Sequence, residues 1–370
     1  VTLPAGRLGV GMQQVVEIAR ALGDERAAAA VVVLDEPTAA LSEAEARQLF
    51  RLVRARRESG AAFVFISHHL DEVMELCDRV AVLRDGKLVA VRDVAEIGKD
   101  ELVELMTGRD GEEIEHGHGH GHGHGSERVV LEVKGLAVRS GERCVVDGLS
   151  FEVKAGEVVA LAGAMGAGRT ATLSALFGLV NGSVDGVIEV DGKRVEIEGP
   201  RDAIRAGLAL VPEDRKGAGL VLGMSVVENL GLPSHRTRMV DAAKVEKMAH
   251  DRVKELRIKA PGLGAEVATL SGGNQQKVVI GKWLELAPRV LLLDEPTRGV
   301  DVGAKAEIYR LVEELTAKGH AVLLASSDLP EIVRLADRVI VLRDGRPVGE
   351  LGKGEISGLA IMKLAMGTMS

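Results

Sequence analysis

The chain lacks any stretch able to cross a bilayer. Its longest run free of Asp, Glu, Lys and Arg covers residues 170–184, fifteen residues that include Thr, Ser and Asn, too short and too polar for a transmembrane helix. Membrane contact is therefore expected to be peripheral. A basic excess is missing as well: 47 Lys and Arg stand against 55 Asp and Glu, for a net charge of −8 without a basic stripe, which argues against a nucleic-acid partner. Cysteine is scarce. Cys77 and Cys144 lie on apolar-rich segments without metal-ligand spacing, so both are expected to be reduced core residues in a cytosolic protein. No signal peptide is visible. The single Trp and single Tyr, Trp283 and Tyr309, fall at apolar spacing on predicted helices, which assigns them to core packing rather than to stacking on a ligand ring.

What is present is a globular balance, 46% hydrophobic and 28% charged residues over a length of 370 that suits two or three domains. A repeat organises it. Leu34-Asp35-Glu36-Pro37-Thr38 returns as Leu293-Asp294-Glu295-Pro296-Thr297, Asp78-Arg79-Val80 as Asp337-Arg338-Val339, and Leu83-Arg84-Asp85-Gly86 as Leu342-Arg343-Asp344-Gly345. Divergent duplication explains this most simply. Upstream, Leu8-Gly9-Val10-Gly11-Met12-Gln13-Gln14 parallels Leu270-Ser271-Gly272-Gly273-Asn274-Gln275-Gln276, yet seven residues precede the first and more than a hundred the second. The front of the first copy is expected to be missing.

Short apolar runs at residues 31–34, 63–66 and 80–83 alternate with helical patterns, the signature of a parallel sheet flanked by helices. Ser42 with Glu45 predicts a capping box for a helix that carries Ala46, Leu49 and Val53 on one face, and Asp301 takes the matching cap in the second copy. Both Asp-Gly pairs suit tight hairpins. Residues 1–110 are read as an α/β remnant, residues 111–127 as a Gly/His-rich linker and residues 128–370 as a complete second domain, with strands around residues 129–133, 144–153 and 158–162. The five linker histidines alternate with glycine and are read as a solvated spacer, with zinc or nickel capture as the alternative.

Three kinds of string carry chemistry. Gly163-Ala164-Met165-Gly166-Ala167-Gly168-Arg169-Thr170 follows a strand and opens a helix, the context in which backbone N–H groups and a helix N-terminus surround phosphate. Arg169 is out of place, because a lysine there would meet the phosphates as a compact charge and a guanidinium is a longer planar fork; binding with impaired hydrolysis is expected. Asp294-Glu295 and Asp35-Glu36 each end an apolar strand, which sets one carboxylate to hold Mg²⁺ and the next beside an attacking water. At Ser271-Gly272-Gly273 a hydroxyl, two glycine amides and a helix start together form an anion site.

The string Leu270-Ser271-Gly272-Gly273-Asn274-Gln275-Gln276-Lys277 resembles the signature of ATP-binding cassette (ABC) proteins. With Pro212-Glu213-Asp214-Arg215-Lys216 and the glycine loop, the chain is similar to the fused double ATPases of bacterial monosaccharide importers, and the likeness covers all but the linker. It implies an α/β P-loop NTPase fold, with one complete cassette plus the C-terminal part of a second. It also implies ATP and Mg²⁺ as cofactors, membrane permease subunits and a sugar-binding protein as partners, and a peripheral place on the cytoplasmic face of the membrane. Adenine at the second site would rest on aliphatic groups, since residues 138–146 hold no aromatic.

In that family the signature of one half closes over the ATP of the other, so each site is composite. The resemblance makes Glu36, His68 and Glu295 the catalytic set, with Thr170, Asp294 and Asp35 toward the metal. Glu213 stands where a glutamine usually couples the γ-phosphate to the membrane subunits; a plain surface-loop acid is the alternative. The second copy has Ser327 in place of the switch histidine His68, and the first has Gly9-Val10-Gly11 in place of Ser271-Gly272-Gly273. Sorted by composite site, Asp35, Glu36 and His68 pair with the intact Ser271 signature, and Arg169 and Ser327 with the damaged one. One competent and one degenerate site are expected, in an ATPase energising monosaccharide import. A nucleoside importer, or a soluble tandem ABC protein in translation or regulation, are the alternatives.

Overall fold

The computed structural model describes residues 16–18, 20, 31–35, 37, 38, 41, 43–67, 70–84, 87–98, 101, 102, 105, 126–141, 143–164, 166–234 and 241–366. The chain divides into two compact units, Val1–Glu115 with Asp301–Gly303, and His116–Val300 with Ala304–Ser370.

In the first unit, β1 (Val31–Asp35) and β2 (Ala62–Ile66) run parallel in unbroken register. Parallel pairing requires a crossover, and α1 (Glu43–Glu58) provides it. Its buried stripe is Leu49, Phe50 and Val53, which differs from the expected face by taking Phe50 in place of the half-buried Ala46, because Phe50 meets Phe65 edge-on at 6.4 Å between ring centroids. The capping pair Ser42 and Glu45 lies outside the described residues. After α2 (Leu70–Leu76) come β3 (Arg79–Arg84) and β4 (Lys87–Asp93), an antiparallel hairpin in which Arg84 faces Lys87.

The second unit holds two sheets. An antiparallel one has the order β6-β5-β8-β9, formed by β5 (Val129–Ser140), β6 (Arg143–Lys154), β8 (Ser183–Val190) and β9 (Lys193–Val195). The central sheet has the order β10-β11-β12-β7-β13-β14. Its members are β7 (Val158–Ala162), β10 (Leu208–Val211), β11 (Val290–Asp294), β12 (Ala321–Ala325), β13 (Arg338–Arg343) and β14 (Arg346–Gly352), and only β14 is antiparallel to its neighbour. Every residue of β7, β11 and β12 is buried, which is why these strands read as continuous apolar runs.

Alternate residues serve the two faces. Ala160, Leu291, Leu293 and Leu324 pack with α5 (Val226–Gly231), α6 (Ala242–Glu255), α7 (Gly272–Leu284) and α8 (Val302–Ala317). Val159, Leu161, Leu292 and Leu323 pack with α3 (Arg169–Leu176), α4 (Pro200–Ala206) and the antiparallel sheet. The remaining helices, α9 (Leu329–Leu335) and α10 (Gly358–Met366), lie toward the C-terminus. Trp283 joins both clusters and meets Phe177 edge-on at 5.6 Å, and Tyr309 packs on the first, the core role expected of them.

The repeat holds in three dimensions. The register shift between Val82 and Leu83 recurs between Val341 and Leu342, and Asp344 and Gly345 carry φ of 50° and 80°, as a tight two-residue hairpin turn requires. Arg54 of α1 pairs with Glu75 of α2 at 2.7 Å, and at the repeated positions Glu313 of α8 pairs with Arg334 of α9 at 3.1 Å. The pair is kept with its signs exchanged.

One expectation fails. Cys144 is exposed, not a core residue, because it sits opposite Arg139 beside the turn of the β5–β6 hairpin, beyond the packed face. Cys77 is half-buried, its thiol pushed up chiefly by burial and then by Asp78.

Candidate nucleotide site

Four neighbouring parallel strands of the central sheet, β10, β11, β12 and β7, end side by side, with Val211 opposite Leu293, Asp294 opposite Ala325, and Ala325 opposite Leu161. The loops beyond these carboxyl ends therefore converge, and they carry Glu213, Asp294 with Glu295, Ser326 with Ser327, and residues 163–170. This is the crevice in which open α/β sheets hold ligands.

The glycine loop owes its shape to crowding. Gly163 has φ +147° and a Cβ there would lie 2.3 Å from the Leu342 carbonyl oxygen; Gly168 has φ +103° and a Cβ would lie 2.7 Å from that of Val145. Gly166, at φ +81°, faces open space, so backbone conformation alone demands glycine there. Ala164 is exposed, whereas Ala167 is buried, and the Ala167 N–H donates to the Ala164 carbonyl at 3.0 Å. Met165 lies outside the described residues. Gly168 caps α3, which turns the first amides of that helix toward the loop.

Thr170 Oγ1 donates to Asp294 Oδ1 at 3.1 Å, so the structure joins these two members of the expected metal set. Asp294 is 4% exposed, and burial pushes its carboxyl up to about 6 against the Thr170 hydrogen bond. Arg169 draws that carboxyl down only weakly, less than burial raises it, so much of the burial cost stays unmet. A divalent ion would suit that deficit: Thr170 and Asp294 would hold it, and it would supply positive charge against phosphate. Asp35, the counterpart of Asp294, is exposed at the end of β1.

Arg169 does not point its charge into an open phosphate loop. Its Nη1 donates to the Ser326 carbonyl and its Nη2 lies 3.4 Å from Glu295 Oε1, with both side chains 11% exposed. The other oxygen of Glu295 accepts from the Ser327 N–H at 3.0 Å and the Ser327 hydroxyl at 2.9 Å. Glu295 itself has φ +45°, a conformation costly for a non-glycine residue. The acid expected beside an attacking water is thus held by the two residues that depart from the usual pattern.

The signature helix is exposed where it begins. Ser271 caps α7, and its Oγ accepts from Asn274 Nδ2 at 2.8 Å. Gly272 is required because a Cβ would lie 2.9 Å from the Gly299 carbonyl oxygen, and Gly273 because one would meet Ala304 Cβ at 2.4 Å. Arg215, quoted above only as part of a string, turns out to be a strut: it donates to the carbonyls of Arg298 at 2.5 Å and Gly299 at 2.8 Å. Glu213 forms an ion pair with Arg298. Glu36, His68 and the segment Gly9-Val10-Gly11 lie outside the described residues.

The ABC transporter family matches residues 146–298. The ribose import ATP-binding protein of Rubrobacter xylanophilus is 48% identical over 97% of this chain and 70% of its own length, and that of Chromobacterium violaceum 46% identical over 98% and 71%. Among solved structures, an ATP-binding cassette of an ABC transporter in its ADP conformation aligns with a TM-score of 0.55 at 23% identity, over 65% of this chain and 99% of its own; that likeness concerns the fold. Motifs, fold and relatives agree: the chain belongs to the ABC transporter family, among the ATP-binding proteins that energise sugar import.

Proposed function

We propose that the protein couples ATP hydrolysis to import of ribose or a closely related monosaccharide, with two unequal composite sites. The observation that carries the inequality is the state of Glu295, which is occupied by Arg169 on one oxygen and by Ser327 on the other. A carboxylate held on one oxygen by a guanidinium and on the other by two donors is not free to turn toward an attacking water. At the other site, Asp35, Glu36 and His68 of the first copy act with Ser271, Gly272 and Gly273 of the second.

The roles follow from chemistry. Residues 163–170 wrap phosphate with backbone N–H groups, and Thr170 with Asp294 would hold Mg²⁺, which neutralises developing phosphate charge. Glu36 orients and deprotonates the attacking water, His68 contacts the γ-phosphate, and the Ser271 hydroxyl closes the site from the opposite half. Glu213, tied to Arg298, lies on the same edge and reports the γ-phosphate to membrane subunits. The names of the relatives, ribose import ATP-binding proteins, support ribose as substrate; a permease and a sugar-binding protein are the partners that this reading calls for. No helix among the described residues is long and apolar enough to cross a membrane, which suits a peripheral subunit on the cytoplasmic face.

The test is turnover in the transporter assembled with its permease. Glu36→Gln is expected to lower kcat about a hundredfold or more, the usual worth of a general base, while Glu295→Gln keeps most of it. Equal losses would overturn the asymmetry, and full turnover in Glu36→Gln would overturn the assignment of the base.

A further inference from the structure

The two copies have diverged at the reacting positions, yet one trio of side chains persists in both. Thr38 Oγ1 and Ser67 Oγ each donate to Glu72 Oε2 at 2.9 Å. At the repeated positions, Ser326 Oγ donates to Glu331 Oε2 at 2.5 Å, and the Thr297 hydroxyl also approaches that carboxyl. The glutamate comes from the first turn of α2 or α9, the threonine from the loop after the acidic strand, and the serine from the end of the next strand.

Placing such a carboxyl is costly. Glu331 is 1% exposed, its Oε1 has no hydrogen-bond partner, and burial pushes it up to about 7. An ionisable group in that environment costs stability unless its charge is paired and its oxygens are hydrogen-bonded, and here one oxygen is not. In sequence, Thr38 stands two residues after Glu36 and Ser67 immediately before His68. In the second copy the link extends further: Ser326 Oγ accepts from the Asp328 N–H at 3.0 Å, the Ser326 carbonyl accepts from Arg169, and Ser327 grips Glu295.

On the reading above, we propose that Glu72 and Glu331 are positioning residues that clamp the loop of the water-activating acid to the loop of the γ-phosphate sensor. In the first copy it would tie Thr38, two residues after Glu36 in sequence, to Ser67, the residue before His68. In the second it fixes Glu295 relative to Ser327 and Arg169.

Two measurements test it. By hydrogen exchange on the whole chain, Glu331→Ala and Ser326→Ala are each expected to speed exchange of the amides at 326–328 by tenfold or more, with little change elsewhere, and the double variant to add nothing further. By turnover in the assembled transporter, Glu72→Ala is expected to lose roughly tenfold to a hundredfold in kcat, the scale of a misplaced catalytic group, with KM for ATP unchanged. Glu72→Gln, whose amide oxygen still accepts both hydroxyls, is expected to recover most of that loss. Unchanged exchange at 326–328, a uniform rise across the second unit, or a Gln variant as impaired as Ala would each overturn the clamp. Failure of Glu36→Gln to stop turnover would instead overturn the composite-site reading, whatever the exchange data show.

Discussion

One strand pair occurs twice in this molecule with opposite fates. On the face carried by Val31, Val33, Val64 and Ile66 of β1 and β2, exposure is 56%, 61%, 48% and 47%; at the repeated positions Val290, Leu292, Leu323 and Ala325 of β11 and β12 it is 0 or 1%. The second copy covers that face with α3 and the antiparallel sheet, built from residues 129–195. The strand sequence is the same kind in both units, a continuous apolar run suited to burial on two sides. The composition of these strands therefore records a two-sided burial that, among the described residues, the second copy displays.

The largest expected effect follows from that contrast. Leu292→Ala opens a cavity in a fully packed face and is expected to cost about 2–5 kcal/mol, whereas Val33→Ala, on the exposed face, should stay within about 0.5 kcal/mol. Denaturant unfolding, read separately for each unit by local exchange, checks both. A similar loss at the two sites would mean that the first face is packed in solution and the contrast false.

Much of the architecture was legible beforehand, since apolar runs and Asp-Gly turns fix strands and hairpins locally, and the glycine loop announces itself by spacing. The arrangement around Glu295 was not. Arg169 was recognisable as the wrong cation, but its partners lie 157 positions away at Ser326 and at Glu295, and spacing cannot choose among acceptors gathered at one sheet edge. Glu331 and Arg215 escaped for the same reason: each takes its role from a loop brought near by the fold. Cys144 misled because a hydrophobic neighbourhood in sequence says nothing about how close a residue lies to the end of a hairpin.

A second contrast concerns charge on the signature helix. Lys282 is 8% exposed, donates to the Gly219 carbonyl and lies 5.3 Å from the Trp283 ring centroid; Arg20, the matching residue after the first Gln-Gln pair, is exposed. Burial lowers the Lys282 amine to about 8 from 10.5. Both folded and unfolded chains hold this proton below pH 8, so the burial penalty is then fully present. Between about pH 8 and 10 the folded state releases it first, and stability rises by at most about 3 kcal/mol from this group. Lys282→Met should lack that rise, and Arg20→Met should keep it, in unfolding free energies measured from pH 7 to 10. An identical pH profile in Lys282→Met and the unmodified chain would show that the amine is not buried as a cation.

The smallest effect is the most direct probe of the repeat itself. Arg54–Glu75 and Glu313–Arg334 join equivalent helices with opposite polarity, and all four side chains are 37–51% exposed. Pairs so open to water are worth about 0–1 kcal/mol and weaken with salt. Geometry rather than sign is then what the two copies share, because two helices at a fixed spacing accept either polarity provided the charges are opposite. Arg54→Glu alone sets two carboxylates face to face and is expected to cost up to about 1 kcal/mol at low salt. Adding Glu75→Arg gives the first copy the polarity of the second and is expected to return stability to within about 0.5 kcal/mol of the starting chain. If the double variant recovers nothing, the helices of the first unit do not hold these residues at pairing distance, and the structural equivalence of the two copies fails at this contact.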